Sequence, residues 1–276
     1  MTQRNWITEA RDGAVLVLRM GAPEQLNALH APMMAQLHDA LERAGEDGDV
    51  RAVVLTGTGR AFCAGAHVGG MAEMPDKAAG IADLLENGWN RAVRLIRGMP
   101  KPVIAAVNGI AAGGGVGLAL SADIVLAARS ARFIQVFGPR LGVIPDVGCT
   151  WFLPRGVGRA RALRLMLTGE RLAAEQAERW GLIAACVGDA DLMRESLALA
   201  HRLAAGPIRA FAEIRAAVDH GLSQDLDAAL DHERDTNARL CAGPDFCRRH
   251  GGLSRKKRAA DFTNRPLTET KHGHMP

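Results

Sequence analysis

Residues 102–123 read PVIAAVNGIAAGGGVGLALSAD, and the fold turns on how this run divides. Val103–Val107 is short, apolar and rich in β-branched residues, the composition of a buried strand. Asn108-Gly109 interrupts it, and Gly113-Gly114-Gly115 then opens a small-residue segment, Val116–Ala122, that predicts a buried helix. A strand, a glycine turn and a helix start gather free backbone N–H groups at one point, where the helix dipole favours negative charge. Glycines without a Cβ let a ligand oxygen come close to those donors. The stretch reads as a site for an anion, or for an oxygen that becomes one. A turn that is tight only for packing is the competing reading.

Outward from this centre, Ala14–Met20 follows an Asp12-Gly13 turn as a strand, and Val50–Thr56 is a second buried strand. Pro23–Leu29 (PEQLNAL) is a turn, with Asn27 expected to cap an amphipathic helix over Ala31–Ala44. Phe62–His67 (FCAGAH) forms a short loop, and residues 71–100 are helical, most clearly over Leu84–Ile96. Ile124–Ala127, Arg132–Val136 and Gly181–Val187 read as short strands, with Val143–Gly148 (VIPDVG) a turn or helix start. Helices are expected at Ala160–Leu167, Ala173–Trp180, Leu192–Ala205, Ile208–His220 and Leu226–Leu240. The recurring alternation of strand and helix makes the class α/β. We divide the chain into a core over residues 1–205, a helical region over 206–265 and a tail over 266–276 expected to be disordered. The loops Cys63–Ala66 and Gly113–Gly115 each follow a buried strand at its carboxyl end, where open α/β sheets bind ligands. They could aim one N–H each at the same oxygen.

Composition narrows the classes. The chain is 48% hydrophobic and 23% charged, an ordinary globular balance. It lacks both a long uninterrupted apolar run and a signal-peptide pattern, so no membrane partner is expected. Five cysteines, odd in number and widely spaced, show no metal pattern and point to reduced thiols in a cytoplasm. Residues 248–258, RRHGGLSRKKR, hold six of the Lys and Arg and no acid, which fits a solvated face or phosphate contact. No aromatics interleave with them, so nucleic acid is not an expected partner.

The segments PEQLNAL, VVLTGTGRAFCAGAHV, KPVIAAVNGIAAGGGVGLALSADIVLA, ARFIQVFGPRLGVIPDVGCTWFLPRGVGRARAL, LTGERLAAEQAERWGLI and KRAADF, in this order, resemble the enoyl-CoA hydratase/isomerase (crotonase) superfamily. The resemblance implies a spiral of ββα repeats with C-terminal helices that assemble a homotrimer or a dimer of trimers. It implies acyl-CoA thioester substrates, coenzyme A entering as part of the substrate, no tightly bound cofactor and no metal. Two backbone N–H groups would stabilise a thioester enolate, and they fall on Ala66 and Gly114. Leu26, Ala64, Ala66, His67 and Val68 would lie around the coenzyme, joined by Lys257 and Phe262 from KRAADF. The stretch before KRAADF departs from the family at Arg249 and Ser254. His67 stands where the family usually has Asp or Gln, and reads as a polar residue beside the cofactor rather than a proton shuttle. Asp123 reads as structural.

Hydratases of the family carry two glutamates, one to activate water and one to manage the proton at the α-carbon. Here the first position is Gly117, and the second falls in Val136-Phe137-Gly138, where no acid occurs. Asp146 remains, at the place where some family isomerases, notably the ring-epoxide isomerase of phenylacetyl-CoA catabolism, carry their single carboxylate. One base that takes a proton at one carbon and returns it two carbons away suffices to move a double bond. Ile144, Pro145 and Val147 around it should partly desolvate Asp146 and raise its pKa. A simple helix cap is the competing role. The family's dehalogenases use an aspartate here as nucleophile, but with a histidine after a tryptophan, where this chain has Asn90 after Trp89. The expectation is an acyl-CoA isomerase. The alternatives are a hydratase with relocated acid/base groups such as Glu73 or His67, and a non-catalytic acyl-CoA- or RNA-binding member.

Overall fold

The structure, a computed structural model, describes residues 4–66, 75–243 and 246. They fall into two compact units that divide between Val218 and Asp219.

The first unit begins with a hairpin, β1 (Ile7–Asp12) and β2 (Val15–Met20), turning at Gly13 with φ +58°. Strand β1 was not expected, because it is an edge strand with only Ile7 buried and so shows no apolar alternation. Next come α1 (Ala31–Glu46), β3 (Ala52–Gly57) and β4 (Ala61–Cys63). A continuous helical stretch follows as α2 (Lys77–Asp83), a π turn over Leu84–Asn90 and α3 (Arg91–Gly98). The part of the expected helix over residues 71–74 lies outside the described residues. The chain continues through β5 (Val103–Val107), β6 (Ile110–Ala112), α4 (Gly114–Leu120), β7 (Ile124–Ala128), β8 (Arg132–Ile134) and α5 (Cys149–Thr168). It closes with β9 (Arg171–Ala173), α6 (Ala174–Arg179), β10 (Ala185–Val187), α7 (Leu192–Ala204) and α8 (Ile208–Gly221), the last crossing the division between units.

Two sheets organise these elements. One has the order β1-β2-β3-β5-β7-β10 and the other β4-β6-β8-β9; apart from the pairs β1/β2 and β8/β9, neighbours run parallel. Each of the successive pairs β3/β4, β5/β6 and β7/β8 puts one strand in each sheet and is followed by helix. This is the ββα spiral of the crotonase fold. Every residue of β3 and β5 is buried, as expected of parallel strands covered on both faces.

The structure corrects the expected placing of the two glycine loops at the carboxyl ends of the buried strands Val50–Thr56 and Val103–Val107. Strands β4 and β6 intervene, so each loop leaves the second sheet instead. At three residues each, they are too short for a period to register. Helix α4 starts at Gly114 rather than Val116, and α5 starts at Cys149, with a break at Gly158 (φ 77°, ψ 158°). Asn27 is not the cap of α1. His30 takes that place, its Nδ1 accepting from Met33 N at 3.3 Å. Asn27 is instead fully buried with φ +54°, and its carboxamide accepts from Ala22 N and donates to Thr58 O and Ala61 O at 2.8–2.9 Å.

Asp123 is structural, as expected. It pairs bidentately with Arg215 of α8 and accepts from Val103 N at 2.8 Å. The same guanidinium donates to the carbonyls of Arg97, Met99 and Lys101. In the second unit, α9 (Leu226–Cys241) is capped by Asp225, and the rings of His220 and His232 stack with centroids 4.4 Å apart. The expected tail over 266–276 lies outside the described residues. No helix among the described residues is long and apolar enough to cross a membrane.

Candidate active site

Because β4 and β6 pair in parallel (Ala61↔Ile110, Cys63↔Ala111), the loops leaving their carboxyl ends stand side by side. Their contact is close enough to require glycine. A Cβ on Gly65 (φ +90°) would lie 2.8 Å from Ala112 O and 3.3 Å from Gly114 N, and one on Gly115 would lie 2.2 Å from Cys63 O. Ala66 forms a parallel bridge with Leu29, and Gly65 O accepts from Leu29 N at 2.8 Å. Gly114 opens α4, so its N–H belongs to the first turn, which has no intrahelical acceptor. The structure thus brings Ala66 and Gly114 to one place.

Leu26, with φ +53°, accepts from Ala64 N through its carbonyl at 3.0 Å, so Leu26, Ala64 and Ala66 form one cluster. The other residues expected around the coenzyme, His67, Val68, Lys257 and Phe262, lie outside the described residues. So does Glu73.

Asp146 reaches this place on the turn before α5. Its neighbour Val147 is buried and holds φ +52°, an unfavourable backbone state for a β-branched residue. That conformation folds Val147 onto the glycine helix. Its Cγ2 would lie 2.8 Å from a Cβ on Gly114, and its carbonyl oxygen 2.1 Å from a Cβ on Gly117. Trp89, drawn inside by the π turn, covers Gly114 from the other side at 3.1 Å by the same measure. His38 Nε2 donates to Gly88 O at 2.9 Å, which ties the π turn to α1.

The Asp146 carboxyl is half-buried, and burial pushes its pKa up to about 6, with some relief from its own backbone amide. It does not cap α5. Gly148 holds the cap position and no side-chain bond closes it. Nor do acids stand at the two hydratase positions. Gly117 is closed by the Val147 carbonyl, and Val136 and Phe137 turn apolar atoms toward Gly113, 3.3 and 3.6 Å from where its Cβ would be. In the segment just before Asp146, the apolar residues Leu141, Val143 and Ile144 are exposed.

Cys149 is completely buried at the start of α5, and its Sγ donates to Gly113 O at 3.7 Å. Burial pushes its thiol up to about 12, with the charge of Asp146 a lesser cause in the same direction, so it stays protonated at neutral pH. Sequence reasoning passed over Cys149, the left-handed backbone of Val147 and the supporting role of Asn27. Nothing in the local pattern signals a left-handed valine or a thiol directed at a distant carbonyl. Among the described residues no group of three or more His, Cys, Asp or Glu is placed to hold a metal ion. A groove lined by Glu9, Arg11, Arg43, Glu46 and Asp47 lies apart from the glycine loops, and the ion pairs Arg11–Asp47 and Arg43–Glu9 occupy four of its charged groups.

Two strands and a helix repeated around two sheets, with glycine loops converging beside a desolvated carboxylate, define a protein of the crotonase class. The chain belongs to the enoyl-CoA hydratase/isomerase family, whose sequence model matches residues 10–265. It is similar to the 1,2-epoxyphenylacetyl-CoA isomerase of Escherichia coli K12, 44% identical over 222 residues that cover 80% of this chain and 84% of that protein. It is equally similar, 44% over 251 residues, to a Rhodobacter capsulatus protein named probable enoyl-CoA hydratase, covering 90% of this chain and 94% of that one. Among solved structures, the enoyl-CoA hydratase of Polaromonas sp. JS666 superposes with a TM-score of 0.84 at 33% identity, covering 90% of this chain and 96% of that chain. The family acts on acyl-CoA substrates, and this chain is an enzyme of that family.

Proposed function

We propose that this enzyme isomerises acyl-CoA thioesters, moving an enoyl double bond or rearranging a ring epoxide, with Asp146 as its single base. The observation that carries this reading is the contact of Val147 O with Gly117. The space a hydratase glutamate would need is filled by backbone, and the residue before Val147 is a carboxylate with its pKa raised to about 6. The thioester oxygen sits between the N–H groups of Ala66 and Gly114, and the enolate charge that develops there is stabilised by both donors, each worth roughly 3–4 kcal/mol in such sites. Asp146 takes a proton from one carbon, becomes a neutral acid, and returns the proton to the carbon two positions along. A carboxylate poised near pH 6 can do both steps without a second group.

Leu26, Ala64 and Ala66 flank the coenzyme, with His67, Val68, Lys257 and Phe262 assigned to it by resemblance. The reading needs no tightly bound cofactor, takes the assembly to be a homotrimer or a dimer of trimers, and puts the enzyme in the cytoplasm. The hydratase names among the relatives support the rival reaction, and one experiment separates the two. Incubation with enoyl-CoA in ¹⁸O-labelled water should give a shifted double bond and no ¹⁸O. Product carrying ¹⁸O would establish hydration instead. Asp146→Asn should lower kcat by roughly 10²–10⁴, and wild-type turnover by that variant would remove Asp146 from the mechanism.

A further inference from the structure

The N–H of Gly114 and the C=O of Gly113 belong to the same peptide unit, so whatever binds the carbonyl also orients and polarises the N–H. The corresponding peptide of the other loop, Gly65–Ala66, has its carbonyl held by Leu29 N at 2.8 Å. The Gly113 carbonyl accepts from Val116 N at 3.0 Å and, from outside the helix, from the Cys149 thiol at 3.7 Å. Behind the thiol lies Gln135, 3% exposed, whose Nε2 and Oε1 have no hydrogen-bond partner of normal geometry although the amide reaches the Cys149 sulfur. A buried amide left in this state is costly, and so calls for an explanation.

We infer that Cys149, backed by Gln135, is a positioning residue for the oxyanion donor. The Gln135 amide donates toward Sγ, Sγ–H donates to Gly113 O, and the polarised peptide presents the Gly114 N–H to the thioester oxygen. Hydrogen bonds in series reinforce one another in a medium of low dielectric. Each link also fixes the peptide plane, and with it the direction of the N–H. A protonated sulfur is required, and complete burial keeps it so. The inference rests on the proposed role of Gly114 and adds to it a side chain that tunes the donor.

The test uses cinnamoyl-CoA, whose conjugated absorption moves to longer wavelength when its thioester carbonyl is polarised. Wild type should shift the band on binding. Cys149→Ala should bind the thioester with a similar Kd, show a smaller band shift, and lose roughly three- to tenfold in kcat with KM unchanged, the scale of one weak hydrogen bond. Cys149→Ser, which restores an O–H donor, should recover most of the shift and of kcat. Gln135→Leu should fall between wild type and Cys149→Ala. If Cys149→Ala keeps the wild-type band position, or if Ala and Ser lose activity alike, Cys149 only fills space and the inference is overturned while Gly114 keeps its role. If wild type itself leaves the band unmoved, the assignment of Gly114 fails, and this inference with it.

Discussion

The carbonyl oxygen of Val147 lies 2.1 Å from the point where a Cβ on Gly117 would stand, so these two residues can approach only because one has no side chain. Contact at that distance is not relieved by a rotamer change, because the obstructing atom is backbone. Gly117→Ala should push the Asp146–Val147 turn away from Gly114. We expect at least tenfold lower kcat and about 1–3 kcal/mol less stability, the usual cost of overpacking. Gly117→Glu should fail to gain hydration for the same reason. Kinetics on enoyl-CoA with urea denaturation would check both, and hydratase activity in Gly117→Glu would show that the turn yields.

Asp146 makes a second prediction through its titration. Its folded pKa, about 6, stands above the value near 3.9 typical of an unfolded chain. As a base it works ionised, so kcat/KM should rise with pH through about 6 and then level. Stability runs the other way. The folded state binds the proton more tightly, which helps folding below about pH 4 and is lost as pH rises through about 6. Asp146→Asn removes the penalty and should be about 1–3 kcal/mol more stable at pH 7.5, with the gain vanishing near pH 4. Melting curves of both proteins at the two pH values would show it. An equal gain at both would mean the charge is not its source.

Asn27 supports the first loop from behind. Replacing it with Ala strands the Ala22 N–H and Thr58 O and removes the local amide bonding that lets asparagine hold φ +54°. The expected cost is about 2–4 kcal/mol. Asn27→Gly keeps the backbone but not the bonds, and should recover roughly 1 kcal/mol of that. Equal losses measured by denaturation would leave the left-handed backbone without energetic weight.

The Arg215–Asp123 pair should matter for stability and not for chemistry. Its side chains are only 10% and 20% exposed, and the guanidinium also closes three carbonyls around the entry to β5. Arg215→Met removes the cation of Asp123 and the donors to three carbonyls, and should cost about 1–3 kcal/mol. The activity of the remaining folded enzyme should match wild type. A lowered kcat at full folding would give Arg215 a role in the site.

Much of this was legible in the sequence. The apolar runs of β3 and β5 announced buried strands, because strands covered on both faces are apolar throughout. The triplet Gly113–Gly115 announced a loop whose backbone must be approached closely, and the structure supplies the neighbours, Cys63 O and Val147 among them. The desolvation of Asp146 followed from the apolar residues flanking it. Other features were silent. Strands β4 and β6 are three residues long and carry no period, and β1 is an exposed edge. Asn27 looked like a cap because its preference for turns and its preference for caps come from the same short amide side chain.

By itself, then, the sequence determined the α/β class and the glycine triplet as a place for an oxygen, both from local composition. Asp146 was singled out only through the resemblance to the family, whose hydratase positions here hold Gly117 and the acid-free run Val136–Gly138. The tertiary structure alone decided that Gly65 lies beside Gly114, that Val147 closes the space at Gly117, and that the Cys149 thiol finds the Gly113 carbonyl. These are contacts between segments far apart in the chain. They are fixed by how the two sheets stack and by a left-handed valine, neither of which any local pattern encodes.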